Sequence, residues 1–218
     1  MGTMSWEHIG KMMQQMLGAS AVTLEVFFLT LLFALPLGLV VALGRMSRYK
    51  VISLPVRAFL LVLRGTPLML QILFVYFAPG LLHINIDRFP AVIVAFSLNY
   101  AAYFAEIYRG GIEGVDIGQR EAANVLGFSK SQTFFRIVLP QVVKRILPPM
   151  SNEFMTLVKD TALAQTIGVA ELFRLAKTTS ASSSSILPIF VAGAFYLVMN
   201  AVVSKGFSLA EKRLHYYQ

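Results

Sequence analysis

Apolar residues are concentrated in five stretches of the chain, which polar segments separate from one another. The stretches cover about residues 19–44, 51–78, 90–107, 146–169 and 186–204. A helix needs about 20 mostly apolar residues to cross a bilayer, and these stretches are close to that length or longer. The pattern therefore predicts an all-α membrane protein with five transmembrane helices, folded as a single domain over residues 1–218.

Two of these stretches have features that modify a simple span. The first stretch ends before Arg45 and is too long for a signal-peptide core, so it predicts a retained helix. The second is interrupted by the run Arg64, Gly65, Thr66 and Pro67. Because proline lacks a backbone donor and disfavours helix at the preceding residue, this run predicts a short helix, a structural break and then a span.

The composition supports a membrane location and excludes several kinds of chemistry. Hydrophobic residues make up 56% of the chain and charged residues only 14%, against about 25% charged in ordinary soluble domains. The chain contains no cysteine, which excludes disulfides and thiol chemistry. His8, His83 and His215 lie far apart without a metal-binding spacing, so we expect no metal site.

The distribution of positive charge predicts the orientation of the chain. With five spans, 14 of the Lys and Arg residues fall near one side of the membrane and 4 near the other, with Lys159 inside a span. Positive residues accumulate on the cytoplasmic side. The bias therefore predicts an N-terminus outside, a C-terminus in the cytoplasm and a long cytoplasmic loop over residues 108–145.

This loop contains two predicted short helices that are suited to docking a partner. Residues 119–126 favour helix, Gly127 is a typical helix stop, and a second helix over 129–138 is expected to end at Pro140. The candidate docking residues are Gly118, Gln119, Glu121, Ala122, Ala123 and Gly127, with Phe128 and Phe135 as apolar anchors. The residues alone leave open an amphipathic loop on the membrane surface, with both phenylalanines buried at that interface.

The same loop contains a longer motif. Glu121-Ala122-Ala123 is followed, after three residues, by Gly127 and, after nine more, by Ile137, one residue and Leu139-Pro140. This spacing resembles the EAA loop of ATP-binding-cassette (ABC) importer permeases at every defined position. Residues 63–67, 105–111, 152–154 and 159–161 resemble the polar amino acid branch of that family.

The resemblance covers nearly the whole chain and implies a type I ABC importer permease fold in a bacterial inner membrane. It implies pairing with a second, identical or related permease, two ABC ATPase subunits on the cytoplasmic side, and an extracytoplasmic amino-acid-binding protein. The chain has no GxxxxGK[ST] run, so ATP and Mg are expected to bind to the partner ATPase, and the chain itself is expected to hold no cofactor and not to be an enzyme. The expected contacts are an amino acid substrate and membrane lipid, without nucleic acid.

Polar residues inside the spans are candidates for a substrate path, because an ionisable group at the bilayer centre costs about 2.5–3.5 kcal/mol. The candidates are Asn99, Asn152, Glu153, Thr156, Lys159, Asp160 and Thr161. Four of them follow helical spacing along the fourth span and form one polar stripe. Asp160 is expected either to hold a substrate ammonium or to fix the fourth span to a neighbouring backbone group or Arg. Glu25 and Glu106 are open cases, since Glu25 can reach the outer interface and Glu106 can pair with Arg109.

Two other classes of function compete with an importer subunit. A secondary transporter or small channel normally has more spans or internal repeats, and neither the loop nor the polar stripe is repeated here. A scaffold protein would not need Lys159 and Asp160 within a span. Substrate-stimulated ATP hydrolysis by a complex with an ATPase would leave only the importer.

Overall fold

The computed structural model describes residues 6–214, and the surroundings of side chains from residue 10 onward. Within this range the chain is almost entirely helical, which confirms the predicted all-α class. The helices are α1 (Trp6–Arg45), α2 (Lys50–Gly65), α3 (Leu68–Phe77), α4 (Arg88–Glu113), α5 (Ile117–Val125), α6 (Lys130–Thr133), α7 (Leu139–Asp160), α8 (Leu172–Ser183) and α9 (Leu187–Leu214). Shorter 3₁₀ segments cover Ala78–Leu82 and Thr161–Ile167, and a π-helical segment covers Phe134–Val138. His8 and His215 lie outside the residues whose side chains are described.

Helix α1 is 40 residues long and therefore extends about 60 Å. It begins earlier than the predicted start at residue 19, because Met12 and Met16 have apolar partners: both are buried in a cluster with Leu172 of α8 and Ala192 of α9. Pro36 lies inside the helix without ending it.

Helix α4 is the centre of the bundle, with α1, α3 and α7 packed around it. Its large aromatic residues Phe96, Tyr100 and Phe104 are fully buried. Gly38 of α1 faces this helix so closely that an added Cβ would lie 2.9 Å from Phe104 Cβ and 3.1 Å from the Ala101 carbonyl oxygen. A small residue at this position lets the two backbones approach each other.

The second apolar stretch forms two helices rather than one. α2 and α3 are bent by 109° on either side of Thr66 and Pro67. α3 has only 10 residues before the chain tightens into a 3₁₀ segment of 5 residues. The predicted helix, break and second helix are therefore present, and helical structure after the break continues to Leu82, past the predicted end at residue 78.

Pro140 does not end the second loop helix, contrary to expectation. α6, the π-helical segment and α7 follow one another without an irregular residue, and Pro140 lies in the first turn of α7. A proline is tolerated in a first turn, because the donor that it lacks has no intrahelical partner there. α7 then ends at Asp160, and the predicted fourth span continues as a 3₁₀ helix only to Ile167.

Three described helices, α1, α4 and α9, are long and apolar enough to cross a membrane, and the bent pair α2–α3 can count as a fourth. α7 is not among them, since a polar stripe and several charged residues interrupt its apolar sequence. The helix α8, between α7 and α9, was not predicted from the sequence.

Candidate functional site

The loop between α4 and α7 is built from local capping interactions that its sequence encodes. Asp116 caps α5 by accepting a hydrogen bond from the Gly118 N–H at 2.7 Å. At the other end of α5, Gly127 has a φ of 78° and the Phe128 N–H donates to the Ala123 carbonyl, as in a Schellman motif. Ser129 then begins α6 in a capping box with Gln132. The two short helices therefore meet at a fixed angle around a glycine that a side chain would strain.

The loop exposes large apolar side chains among its polar residues. The exposed fractions are 69% for Ile117, 88% for Val125, 74% for Leu126 and 63% for Phe135. We call these four residues the apolar loop patch. A soluble surface rarely exposes such a cluster unless a partner or a membrane covers it.

The predicted docking residues divide between this surface and the interior. Ala123 is only 1% exposed, so it cannot lie on a docking surface, and Phe128 is half-buried. The remaining candidates are exposed: Gly118, Gln119, Glu121, Ala122, Gly127 and Phe135. Of the two alanines, only Ala122 can therefore allow a partner to approach.

The break between α2 and α3 is held by a polar network that involves α4. The Leu63 carbonyl, near the end of α2, accepts from Gln71 Nε2 at 2.9 Å and from Asn99 Nδ2 at 3.1 Å. Asn99 Nδ2 also donates to Gln71 Oε1 at 2.9 Å, and Gln71 Nε2 donates to Thr66. Asn99 was predicted to line the substrate path, whereas its amide nitrogen here joins α4 to the break. Gln71 was not recognised from the sequence, although a glutamine four residues after Pro67 is a polar signal in an apolar helix.

A carboxylate near the C-terminal end of α4 lies close to three guanidinium groups. Glu106 accepts from Arg109 at 2.7 Å, and Arg64 and Arg45 lie 3.8 Å and 3.7 Å from it. The pairing with Arg109 is the one that the sequence suggests for Glu106. Because Arg64 precedes the break and Arg45 ends α1, this cluster ties three helices together next to the loop.

The polar stripe on α7 has one strong contact with α4. Tyr100 Oη donates to Asp160 Oδ2 at 2.8 Å, and Tyr100 is 2% exposed. Asp160 is thus anchored by a tyrosine, not by the backbone group or Arg considered from the sequence. Asn152 and Lys159 are exposed, Glu153, Thr156 and Asp160 are half-buried, and Thr161 is buried. Since Asn99 faces the break, the structure does not bring it together with the α7 stripe.

A buried carboxylate on the other side of the bundle was missed in the sequence. Glu171 is fully buried, and its two oxygens accept from the N–H groups of Phe173 and Arg174 at 2.6 and 2.7 Å. Tyr196 Oη of α9 donates to it at 2.9 Å. Burial raises the pKa of the Glu171 carboxyl above its usual value, although these hydrogen bonds act in the opposite direction. Glu171 therefore caps the N-terminus of α8 and joins this helix to α9.

An all-helical bundle with several helices long and apolar enough to cross a membrane is the architecture of a multi-pass membrane protein. The chain belongs to the family of binding-protein-dependent transport system inner membrane components, whose model matches residues 34–216. It is a component of the inner membrane and a member of the amino acid ABC transporter permeases.

Curated relatives cover most of the chain. It is 37% identical over 197 residues to the L-cystine transport system permease protein TcyB of Bacillus subtilis, covering 89% of this chain and 84% of that protein. It is 37% identical over 196 residues to the arginine transport system permease protein ArtQ of the same organism, covering 89% and 90%. The octopine transport system permease protein OccM of Rhizobium radiobacter is 39% identical over 193 residues, covering 82% and 79%.

Solved structures agree with this assignment. A crystal structure of an amino acid ABC transporter with histidines matches with a TM-score of 0.89 and 35% identity, covering 97% of this chain and all of that chain. An inward-facing form of the MetNI methionine ABC transporter matches with a TM-score of 0.72 over 97% of this chain and 99% of that one, at 15% identity. The second match shows the shared fold alone.

Proposed function

We propose that this chain is the membrane-spanning subunit of an ATP-driven amino acid importer, and that its cytoplasmic loop couples it to a separate ATPase. The observation that carries this proposal is the apolar loop patch, three of whose four residues, Val125, Leu126 and Phe135, lie within the EAA motif. Four exposed apolar side chains next to Glu121 and Ala122 offer a partner both a hydrophobic contact and a charged rim.

The loop is linked to the core in a way that supports mechanical coupling. Val115, before α5, shares a buried cluster with Val138 and Val142, at and after the end of the π-helical segment. From Lys130 to Asp160 the chain is helical without interruption. A movement imposed on the loop is therefore expected to displace α7 as a rigid body.

The substrate path is proposed along the polar stripe of α7. Asp160 and Glu153 lie seven residues apart, about two helical turns, and therefore on one face of the helix. Both side chains are half-buried, and no Lys or Arg nitrogen in residues 10–214 is recorded within 4 Å of either carboxylate. A substrate ammonium would supply the missing positive charge, and Tyr100 would hold Asp160 in place for it.

The rest of the assembly follows from this role. We propose five spans with the N-terminus outside and the C-terminus in the cytoplasm, in which α2–α3 is one broken span. The exposed polar residues Asn152 and Lys159 make α7 unsuited to lipid, so they are expected to face the path or a second permease. Two ATPase subunits would bind ATP and Mg below the loop, and an extracytoplasmic binding protein would deliver the amino acid from above.

Two loop variants test the coupling. Gly127→Val puts a β-branched side chain at a φ of 78°, and Glu121→Lys reverses an exposed charge beside the apolar loop patch. We expect near-normal amounts of protein in the membrane with collapsed uptake and reduced substrate-stimulated ATP hydrolysis. Gly110→Val and Lys212→Glu are matched controls, since Gly110 has open space around it and Lys212 lies at the far end of α9. Normal uptake and ATPase activity in both loop variants would refute the coupling role.

Cysteine labelling tests the topology. Ser129 and Ser183 are both exposed, and the chain has no native cysteine. Single cysteines at these positions should react with an impermeant reagent from opposite faces of the membrane. Reaction of both from one face would contradict the five-span arrangement.

A further inference from the structure

Two guanidinium groups converge on one glycine at the end of the bundle that carries α8. Gly168 ends the 3₁₀ segment with a φ of 86°. A Cβ placed on it would lie 3.1 Å from Arg174 Nη1 and 3.3 Å from Arg88 Nη1. The two nitrogens are therefore at most about 6.5 Å apart, a separation at which like charges repel and one anion can contact both.

Neither guanidinium forms a salt bridge within the described part of the chain, although Glu171 attracts Arg174 from a longer distance. No carboxylate in residues 10–214 is recorded within 4 Å of Arg88 or Arg174. Glu171 is close in sequence to Arg174, but its oxygens are occupied by two backbone N–H groups and Tyr196, and it is fully buried. The pair thus presents two positive charges to the space beside it, against one fully buried carboxylate that forms no salt bridge with either.

This space is large enough for a small molecule. Two clefts, of about 610 Å³ and 750 Å³, share Arg88, Gly168, Arg174 and Thr178 in their walls. Lys177 adds a third positive charge to the first cleft, which Gln165 and Thr166 also line. Their volumes fall in the range of about 300–1,000 Å³ typical of small-ligand sites.

We propose that Arg88 and Arg174 form a carboxylate-binding site on the outer side of the permease, which takes the α-carboxylate of an incoming amino acid. The inference rests on the proposed function, because that function places this end of the bundle outside. A planar guanidinium offers paired donors that match a carboxylate. The absence of a side chain on Gly168 lets both guanidinium groups reach the same point.

This site is separate from the one proposed at Asp160. Gly168 follows Asp160 by eight residues, through the 3₁₀ segment Thr161–Ile167, and at about 2 Å per residue it lies about 16 Å along the chain from Asp160. The ammonium and carboxylate of one amino acid are far closer together than that. The α-carboxylate and α-ammonium of one amino acid are therefore not expected to contact both positions at once, and the arginine pair is an entry site that precedes Asp160.

The test uses the permease assembled with its ATPase in lipid nanodiscs, with Ala181→Cys carrying an environment-sensitive fluorophore. Ala181 is exposed and lines the first cleft. Glycine and glycinamide are the probes, since they differ only in having a carboxylate or an amide. We expect a saturable signal with glycine, about tenfold weaker binding of glycinamide, and a loss of about tenfold for glycine in Arg88→Gln and Arg174→Gln. Arg57→Gln, which removes an exposed guanidinium from α2, should bind glycine normally.

Several results would overturn the proposal. The first is equal binding of glycine and glycinamide. The second is displacement of glycine by inorganic phosphate as readily as by acetate. The third is unchanged glycine binding in both Gln variants. Acidic side chains of a docking protein also carry carboxylates and could bind the same arginine pair. A site that binds only such side chains would give no signal with free glycine, and that result would also refute the proposal. If the Gln variants fail to assemble, Arg88→Lys and Arg174→Lys can replace them. These variants keep the positive charge but lack the paired donors of a guanidinium, so they should bind glycine more weakly than wild type. If one of these results is obtained while ATP-driven uptake is intact, the carboxylate-binding site is refuted and the proposed function is not.

Discussion

Replacing Asn99 with alanine should destabilise the protein, because it removes the side chain that joins α4 to the break between α2 and α3. Asn99 is 5% exposed, and its amide nitrogen donates to the Leu63 carbonyl and to Gln71 Oε1. In Asn99→Ala, the Leu63 carbonyl keeps its bond from Gln71, while Gln71 Oε1 loses the bond from Asn99.

The size of the effect follows from these two bonds. Hydrogen bonds between membrane helices contribute about 0.6 kcal/mol on average and up to about 1.7 kcal/mol. Loss of both bonds, which leaves the half-buried Gln71 Oε1 without its donor, costs about 2 kcal/mol. For a chain of this length, that loss corresponds to a fall of about 4–8 °C in the thermal midpoint.

Thermal unfolding of the purified permease measures this loss, and Ser97→Ala is the matched control. Ser97 lies on the same helix, and its buried hydroxyl has no hydrogen-bond partner in the described structure, so its removal should leave the midpoint unchanged or slightly higher. A double-mutant cycle with Gln71→Ala should show a coupling of about 0.6 kcal/mol or more. An unshifted midpoint together with weakened uptake would refute this reasoning and return Asn99 to the substrate path.

Three further variants test other parts of the structure. Gly38→Val should cost about 1–3 kcal/mol of stability, measured as a lower thermal midpoint, because its side chain would collide with Phe104, whereas Gly18→Ala has open space and should be neutral. Asp160→Asn should weaken uptake at limiting substrate with little change in midpoint, and a lowered midpoint with normal uptake would make Asp160 a purely structural partner of Tyr100. Because burial raises the Glu171 pKa above 4.5, the folded state holds this proton more tightly than the unfolded state does. The wild-type midpoint should therefore fall relative to Glu171→Gln as pH rises from 4.5 through the folded-state pKa, and parallel pH profiles would contradict this.

Much of the architecture is visible in the sequence because membrane insertion constrains apolar length so strongly. The all-helical class, the position of the break before Pro67 and the glycine between the two loop helices all come from local chemistry that a single sequence shows. The bounds of α1 and α9 could not be predicted in the same way. Both helices extend beyond their apolar stretches, and for α1 the extension packs on α8, a helix with no strong apolar signal of its own.

The site was harder to predict because its partners come from distant parts of the chain. Spacing alone puts Asn99 on the same face as Glu106, but only the fold brings it to the carbonyl of Leu63, 36 residues earlier. Similarly, Ala123 and Ala122 are adjacent in the motif, and their different exposure depends on how α5 packs on the π-helical segment. Tyr100 carries no sequence signal that distinguishes it from other aromatic residues of the core.

The two connections of the loop to the core differ in a way that bears on coupling. α4 reaches α5 through the irregular residues Gly114, Val115 and Asp116, whereas α6 continues into α7 without any irregular residue. A helical connection transmits rotation and translation along its length, while an irregular one can absorb them in a few backbone torsions. Phe135 of the apolar loop patch lies on this continuous helix, so its displacement would reach Asp160 through α7 more directly than a displacement of Ile117 would reach Tyr100 through α4. Because the Tyr100–Asp160 hydrogen bond joins these two helices, it is the contact that unequal movement of α4 and α7 would strain first.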